Sequence, residues 1–524
     1  MYAKYIRAAL VFCAVVTVQT GFAQSWQLVG TRAMGMGGAG VATAYGPDAQ
    51  YWNPAGLAQE EDANESGLLI GAGGSLETTK NVLEGVRDLT DMSDQYKALK
   101  TAIDSNSKAS AEDISTLFKG LNSISQMLGK DMGALVNANA GAGLKIKNFA
   151  IGVRALGTGS ITPVIDTKNI QFGTGATGLT LGATSTPTTT AQQDAATALA
   201  QSIDSHGVFN ALNTLLGGSY ANSTQLANAF VNAAHDRGAT DQQILDAIGV
   251  ATSNMGGAAE VLDQYAGATG SYKDNETLVM ADAATFAEAG LGYGQQVIPG
   301  LKIGGNFKVL SGYTAESGVM VLTENEDISD ILDKAYDNKK NSTNIGIDVG
   351  AMVNLSQLTG HEIFLNPQFG LTGKNLNSPK FDRPNAPTDL NAAILRNWRT
   401  DKYELKPQVR AGAAVNPLKW MTVAADIDVT ENDTMLANIK SRQLALGLEM
   451  NIVNSAKFNI PLRVGYNKNL AESSMSPFYT AGIGFNMVHF YLELAGAVST
   501  KTTKIDNKDI PNSAAASLTL GFLF

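Results

Sequence analysis

One pattern dominates the sequence. Runs of about ten residues alternate apolar with small or polar side chains, and the breaks between the runs alternate in length. In an extended strand successive side chains face opposite sides. Residues 342–355 therefore present Ile345, Ile347, Val349, Ala351, Val353 and Leu355 on one face. Residues 440–452 do the same with Leu444, Leu446, Leu448, Met450 and Ile452. Fourteen such runs occur, at 68–76, 139–147, 149–157, 284–294, 300–311, 342–355, 362–373, 404–415, 420–430, 440–452, 460–468, 478–486, 488–497 and 514–524. After the first run the connections alternate long and short. Short ones fall at 148, 295–299, 356–361, 416–419, 453–459 and 487, and longer ones at 77–138, 158–283, 312–341, 374–403, 431–439, 469–477 and 498–513. A soluble sandwich has no reason to sort its loops by parity, whereas a barrel inserted in a membrane has short turns on one side and long loops on the other. The pattern predicts an all-β fold: a transmembrane antiparallel β-barrel of about 14 strands.

The two ends of the chain fit this reading. The last strand puts Leu518, Leu520, Phe522 and Phe524 on one face and Ser517, Thr519 and Gly521 on the other. Such a strand suits pairing with the first one to remove the sheet edge. Phe522 and Phe524 are read as a C-terminal barrel signal, with the barrel assembly machinery as the implied partner. At the N-terminus, Lys4 and Arg7 precede the apolar run Ala8–Val18, and small residues around Ala23 offer a cleavage point. Residues 1–23 thus read as a secretory signal peptide. Its apolar run is too short to span a bilayer as a helix. The single cysteine, Cys13, lies within it, so thiol redox chemistry and cysteine metal sites are not expected in the exported chain.

Composition narrows function. The net charge is −10, or −12 without Lys4 and Arg7, which disfavours nucleic-acid binding. No stretch after residue 23 has the roughly 18 apolar residues of a membrane helix. The four histidines, at 206, 235, 361 and 489, are scattered, and no metal-binding or nucleophile-elbow motif occurs. Neither an enzyme nor a metal or cofactor is therefore expected. Residues 77–138 and 158–283 contain stretches of helical periodicity, such as Ile114, Leu117, Phe118, Leu121, Ile124 and Leu128. They are read as helical extracellular insertions capping the outer mouth, with a separate domain or packing inside the lumen as alternatives.

Residues 24–60 break the strand pattern. Gly35-Met-Gly-Gly-Ala-Gly40 formally matches a dinucleotide-binding fingerprint. It lacks the surrounding strand–helix–strand unit, and Gly46-Pro47 soon interrupts the chain. Glycine used for close backbone packing is the better reading. Arg32-Ala-Met-Gly-Met-Gly-Gly-Ala39, followed by Tyr51-Trp-Asn-Pro-Ala-Gly-Leu57, resembles the N-terminal hatch of the outer-membrane long-chain fatty-acid and hydrocarbon transporter (FadL/TodX) superfamily. The helical insertion with Leu83, Val86, Leu89 and Leu99 is more like the conjugal-transfer TraF-type branch. The resemblance implies a Gram-negative outer-membrane barrel of residues 61–524, closed by a plug carrying Arg32, Gly35, Gly37, Gly38, Asn53, Pro54 and Ala55. It also implies a hydrophobic small-molecule ligand such as a long-chain fatty acid, and lateral release into outer-membrane lipids. The alternative function is an accessory or interaction protein of a conjugation or secretion apparatus, binding through its helical outer loops.

Alternation further predicts which polar residues face the lumen: Arg154, Lys302, Lys308, Asp348, Arg410, Asp426, Asp428, Glu449, Arg463, His489 and Glu493. An Arg or Lys facing lipid at mid-depth costs about 2–4 kcal/mol. These charges are expected to pair with one another or to line a polar conduit or headgroup site.

Overall fold

The computed structural model describes every residue except 1–24, 59–65, 80–81, 83–92, 128–131, 167, 172, 175–176, 219, 266–269, 272–273, 321–329, 387–401, 437–438, 456 and 506–507. The expected signal sequence, with Lys4, Arg7 and Cys13, and the residues Leu83, Val86 and Leu89 expected to be helical lie outside the described residues.

Fourteen strands form one closed antiparallel barrel in sequence order. They are β1 Gly67–Thr78, β2 Ala134–Ile146, β3 Phe149–Val164, β4 Leu278–Ile298, β5 Leu301–Met320, β6 Lys340–Asn354, β7 Gln368–Lys374, β8 Gln408–Leu418, β9 Met421–Asp428, β10 Gln443–Ser455, β11 Phe458–Asn469, β12 Phe478–Met487, β13 Phe490–Ser499 and β14 Ser513–Leu523. Closure is made by β14, which pairs with β13 on one side and with β1 on the other. Leu68 stands opposite Phe522 and Ile70 opposite Leu520, and the amide of Phe524 donates to the carbonyl of Ser66 at 3.0 Å. No backbone edge is left for lipid to meet, as a membrane demands. Among the described residues no helix is long and apolar enough to cross a membrane.

Outward positions are apolar and exposed: Ile151, Val153, Leu291, Phe307, Val464 and Phe522 are all about half accessible or more. Aromatic side chains gather near the short turns, where Phe149 packs on Tyr293 at 4.7 Å and Phe522 lies 6.3 Å from Phe524. These features define a transmembrane β-barrel.

Several strands run past their sequence-predicted ends. β4 has 21 residues and β5 has 20. At about 3.3 Å per residue this wall rises well above an apolar band about 25 Å tall. Beyond the band the outward residues need not be apolar, so alternation fades while hydrogen bonding continues. His489 departs from its expected inward place. The turn falls at Val488–His489 rather than at 487, with Val488 in a left-handed conformation (φ 52°), and His489 is exposed there, 5.6 Å from the Phe522 ring.

The long connections build the opposite end. After α1 Thr31–Gly35 and α2 Ala49–Trp52 of the N-terminal segment, helices α3 Ser93–Asp104 and α4 Ala111–Gln126 follow β1, and α5 Thr190–Ser205, α6 Phe209–Leu215, α7 Ser223–Asp236 and α8 Asp241–Tyr265 lie between β3 and β4. Helix α4 starts at a reciprocal cap: the Asp113 amide donates to the Ser110 hydroxyl, and the Ser110 amide donates to the Asp113 carboxylate. The helices share one buried core, including Leu117, Phe118, Leu199, Phe230 and Met255, which continues onto Ala134, Val279 and Val319 at the tops of β2, β4 and β5. The bundle thus stands on the extended strands rather than inside the lumen.

If the seam is as described, Ile70→Cys and Leu520→Cys in a Cys13→Ser background oxidise to a cross-link, while Ile70→Cys with Ala516→Cys does not. Non-reducing electrophoresis reads the result. Absence of the first cross-link in a heat-modifiable, folded barrel counts against this closure.

Candidate functional site

Fourteen strands enclose more space than their own side chains fill, and the N-terminal segment occupies it. Residues 25–58 enter the lumen as α1 Thr31–Gly35, a left-handed loop at Gly37 and Gly38, α2 Ala49–Trp52 and a 3₁₀ turn at Pro54–Ala58. Nearly all of it is buried. Its backbone lies against glycines of the inner wall. A Cβ on Gly465 would sit 2.2 Å from the Gly37 nitrogen, one on Gly304 2.2 Å from the Pro54 carbonyl carbon, and one on Gly447 2.7 Å from the Met36 oxygen. Gly370 and Gly412, paired across β7 and β8, likewise approach Val41. At Gly304, Gly370 and Gly465 the nearest opposing atoms are backbone, which has little room to give way.

The plug motif is used throughout. Gly35 and Gly37 meet Thr480, whose hydroxyl donates to the Gly35 carbonyl at 2.8 Å and accepts from the Gly37 amide at 3.0 Å. Asn467 donates to the Gly37 carbonyl at 2.7 Å, and Arg410 to that of Gly38 at 3.4 Å. Asn53 donates to the carbonyls of Val41 and Ala351, tying the segment to itself and to β6, and accepts from the amide of Ala55. Pro54 and Ala55 complete the 3₁₀ turn and are buried.

Three charge clusters surround it. In the first, Glu449 receives both the Nε and Nη2 of Arg32, at 2.9 and 3.0 Å, and the Nε of Arg463 at 2.6 Å. Arg463 reaches on to Glu493 at 2.8 Å. In the second, Arg154 pairs with Glu288 at 3.2 Å and Lys308 with Asp348 at 3.0 Å. Gln50 of the plug bridges this cluster, accepting from Arg154 at 3.3 Å and donating to Asn306 at 3.0 Å. In the third, Arg410 pairs with Asp428 at 2.5 Å, and Asp426 accepts from the amides of Gly40 and Val41, both at 2.8 Å. Lys302, buried on β5, faces inward nearer the short turns.

Three plug aromatics, Trp26, Tyr51 and Trp52, pack together with centroids 5.6–6.4 Å apart. Cations of the wall stand over them: Lys374 lies 2.9 Å from the Tyr51 ring centre, and Arg410 4.7 Å from that of Trp26. Cation–π contacts contribute about 0.5–2 kcal/mol each. Sequence reading did not single out Gln50, Asn306, Lys374, Asn467 or Thr480. The first is uncharged and the others reveal themselves only once the plug's path is known. The inward glycines carried a signal, since their register pairs Gly370 with Gly412 and Gly447 with Gly465.

Asp48 immediately precedes α2, half-buried, and its side chain makes no capping hydrogen bond. Burial pushes its carboxyl up from the usual 3.8 to about 6, and Glu493 adds to this, against Arg154 and Arg32.

Above the plug, toward the long loops, the lumen turns apolar. Phe286 and Leu310 of the wall meet Phe381, Tyr403, Met435 and Met475 from inward-folded connections. Phe286 and Phe381 pack edge to face at 4.8 Å. Arg383 holds the connection carrying Phe381, pairing with Asp282 at 3.1 Å. Among the described residues no group of acids, histidines and cysteines is spaced to hold a metal.

The structure is a plugged transmembrane barrel. A family model described as "F plasmid transfer operon, TraF, protein" matches residues 50–428, and the chain belongs to that family. No curated protein matches the sequence. Similar solved structures include the Pseudomonas putida toluene transporter TodX, at 9% identity over 97% of this chain and 99% of that one with a TM-score of 0.38. The Ralstonia pickettii toluene transporter TbuX aligns at 10% identity, 94% and 98% coverage and 0.41. A Pseudomonas aeruginosa FadL homologue aligns at 8%, 97% and 99%, and 0.38.

Three outcomes follow for the plug. Gly465→Val forces the Gly37 backbone off the wall, so trypsin cleaves after Arg32 at least tenfold faster than in the wild type. Unchanged protection of Arg32 contradicts the fit. Arg410→Ala leaves Asp428 without its ion-pair partner and lowers stability by about 3–5 kcal/mol, measured by urea unfolding in detergent. A loss below about 1 kcal/mol contradicts a buried pair. Because the folded carboxyl of Asp48 binds its proton more tightly than the unfolded one, the stability it contributes is lost as pH rises from about 4 to about 6. Asp48→Asn makes the slope of stability against pH shallower over that range, and an identical slope in the variant assigns it to other groups.

Proposed function

We propose that the protein is an outer-membrane transporter for small hydrophobic compounds such as long-chain fatty acids, gated by residues 25–58 and releasing its cargo sideways into the bilayer. The observation that carries this reading is the layering of the lumen. An apolar layer around Phe286, Phe381, Tyr403 and Met475 lies above a lower lumen filled by the plug and lined with paired charges. A hydrophobic molecule gains by leaving water for the upper layer, at about 25 cal/mol per Å² of apolar surface buried. It gains nothing by entering the charged layer beneath. An exit through the wall suits such a molecule better than a water-filled pore. A trough of about 850 Å³ runs across the outer faces of β14, β1–β5, floored by Ala72, Ala140, Ala155 and Ala287. It lies at the height of Arg154 and Glu288, and gives released cargo an apolar surface.

In this reading the signal is cleaved near Ala23, the barrel assembly machinery inserts the chain, and the long loops face outward. The polar residues Arg154, Asp348, Arg410, Asp426, Asp428, Glu449 and Glu493 hold the plug rather than line a conduit. A second reading is favoured by the family match and by the helical bundle with its own core: an accessory protein of a conjugation apparatus, binding partners through residues 158–283.

Planar-bilayer recordings and uptake assays separate these readings. The wild type is expected to conduct ions poorly and to take up labelled oleate, and deletion of residues 25–58 to open conductance. Unchanged conductance after deletion removes the plug from the account. Absent uptake, together with capture of apparatus proteins by residues 158–283, favours the second reading.

A further inference from the structure

At the short-turn mouth, on the far side of the plug from the apolar layer, the barrel holds a polar cavity of about 430 Å³. Its lining includes Asp48 and Tyr45 of the plug and residues from the turn ends of β8 and β10–β13. Three residues of that lining each carry a buried polar atom with no partner among the described residues: the Nη1 of Arg463 and the Oδ1 atoms of Asn459 and Asn486. The Arg463 side chain is 1% exposed, and its other nitrogens are held by Glu449 and Glu493. Buried polar atoms in folded proteins are nearly always satisfied. Three orphans beside one cavity leave unused hydrogen-bonding capacity in its wall.

We propose that this cavity binds an acidic peptide segment. The lining carries five side-chain amides from asparagines, including Asn416, Asn451 and Asn454 beside the two orphans. An asparagine amide offers a donor and an acceptor side by side, the complement of a peptide group. Charge selects the sequence of that peptide. Glu449 and Glu493 are neutralised by Arg32 and Arg463. Lys419 and Lys457 stand exposed at the rim, and Asp48 is the remaining carboxylate at the inner end. The rim is therefore positive in a chain whose net charge is −10. The backbone of the peptide meets the asparagines, and its carboxylates meet the two lysines. The site makes the short-turn face a docking point for an acidic tail or linker of another protein, independent of what crosses the barrel.

Titration calorimetry of the full-length protein in detergent tests this with N-acetylated, C-amidated tetraglutamate, the matching tetraglutamine, and free glutamate as probes. Tetraglutamate is expected to bind at least tenfold more tightly than either of the others, and to weaken at least tenfold in 0.5 M salt. Lys419→Glu with Lys457→Glu, both on the exposed rim, is expected to abolish binding while the barrel keeps its heat-modifiable mobility. Asn486→Leu is expected to weaken it with the charges intact. Equal binding of tetraglutamine, or binding unchanged in the double variant, overturns the proposal, as does no binding at all. Free glutamate binding as tightly as the peptide overturns the peptide assignment and leaves a small-carboxylate site.

Discussion

A barrel of fourteen strands cannot fill itself. Each inward side chain must reach a partner across a space too wide for the wall alone, and each inward charge must find an opposite one or water. The N-terminal segment resolves both demands. Its backbone lies on the wall's glycines, and its polar groups complete networks that the wall leaves unfinished. Arg32 supplies a charge to Glu449, Gln50 closes the path from Arg154 to Asn306, and the amides of Gly40 and Val41 satisfy Asp426. Remove the segment and several buried charges lose partners at once. Such losses cost far more than an exposed ion pair contributes.

The contacts divide into two kinds with different consequences. Glycine-to-backbone packing sets shape, because no side chain stands between plug and wall to adapt. Ion pairs and cation–π contacts set strength, and they sit in a low-dielectric interior where an unmatched charge is costly. A plug held by both kinds moves as a body or not at all. The apolar layer above it is made of a different material. Phe381, Tyr403, Met435 and Met475 come from connections rather than strands. Connections rearrange more easily than a hydrogen-bonded wall. The lumen thus has a yielding upper layer on a stiff lower one.

Much of the wall was legible in the sequence because a membrane enforces alternation. Every one of the fourteen runs overlaps a strand, although the run at 362–373 becomes strand only from Gln368 because a short helix, Leu355–Thr359, and a turn lengthen the connection before it, and each inward charged residue lies inside the barrel. The failures have physical causes. The tops of β4 and β5 leave the membrane, so their outward residues are free to be polar. His489 fell to a one-residue shift of a turn: it lies in the turn itself, while Phe490 and Leu494 keep their outward facing and Glu493 its inward one. The plug's own residues were visible as a motif, but their partners were not. Thr480, Asn467 and Lys374 acquire a role only from a segment more than three hundred residues away in the chain. The inward-folded apolar connections carry no period, so nothing in the sequence separated them from solvent-exposed loops.

The central claim is that residues 25–58 are seated in the lumen as part of the fold. Amide hydrogen exchange of the detergent-solubilised protein, followed by mass spectrometry, measures this directly. The account predicts that peptides covering Arg32–Asn53 exchange as slowly as those from β10–β12. Complete exchange of these peptides within seconds, with the strands still protected, would contradict it.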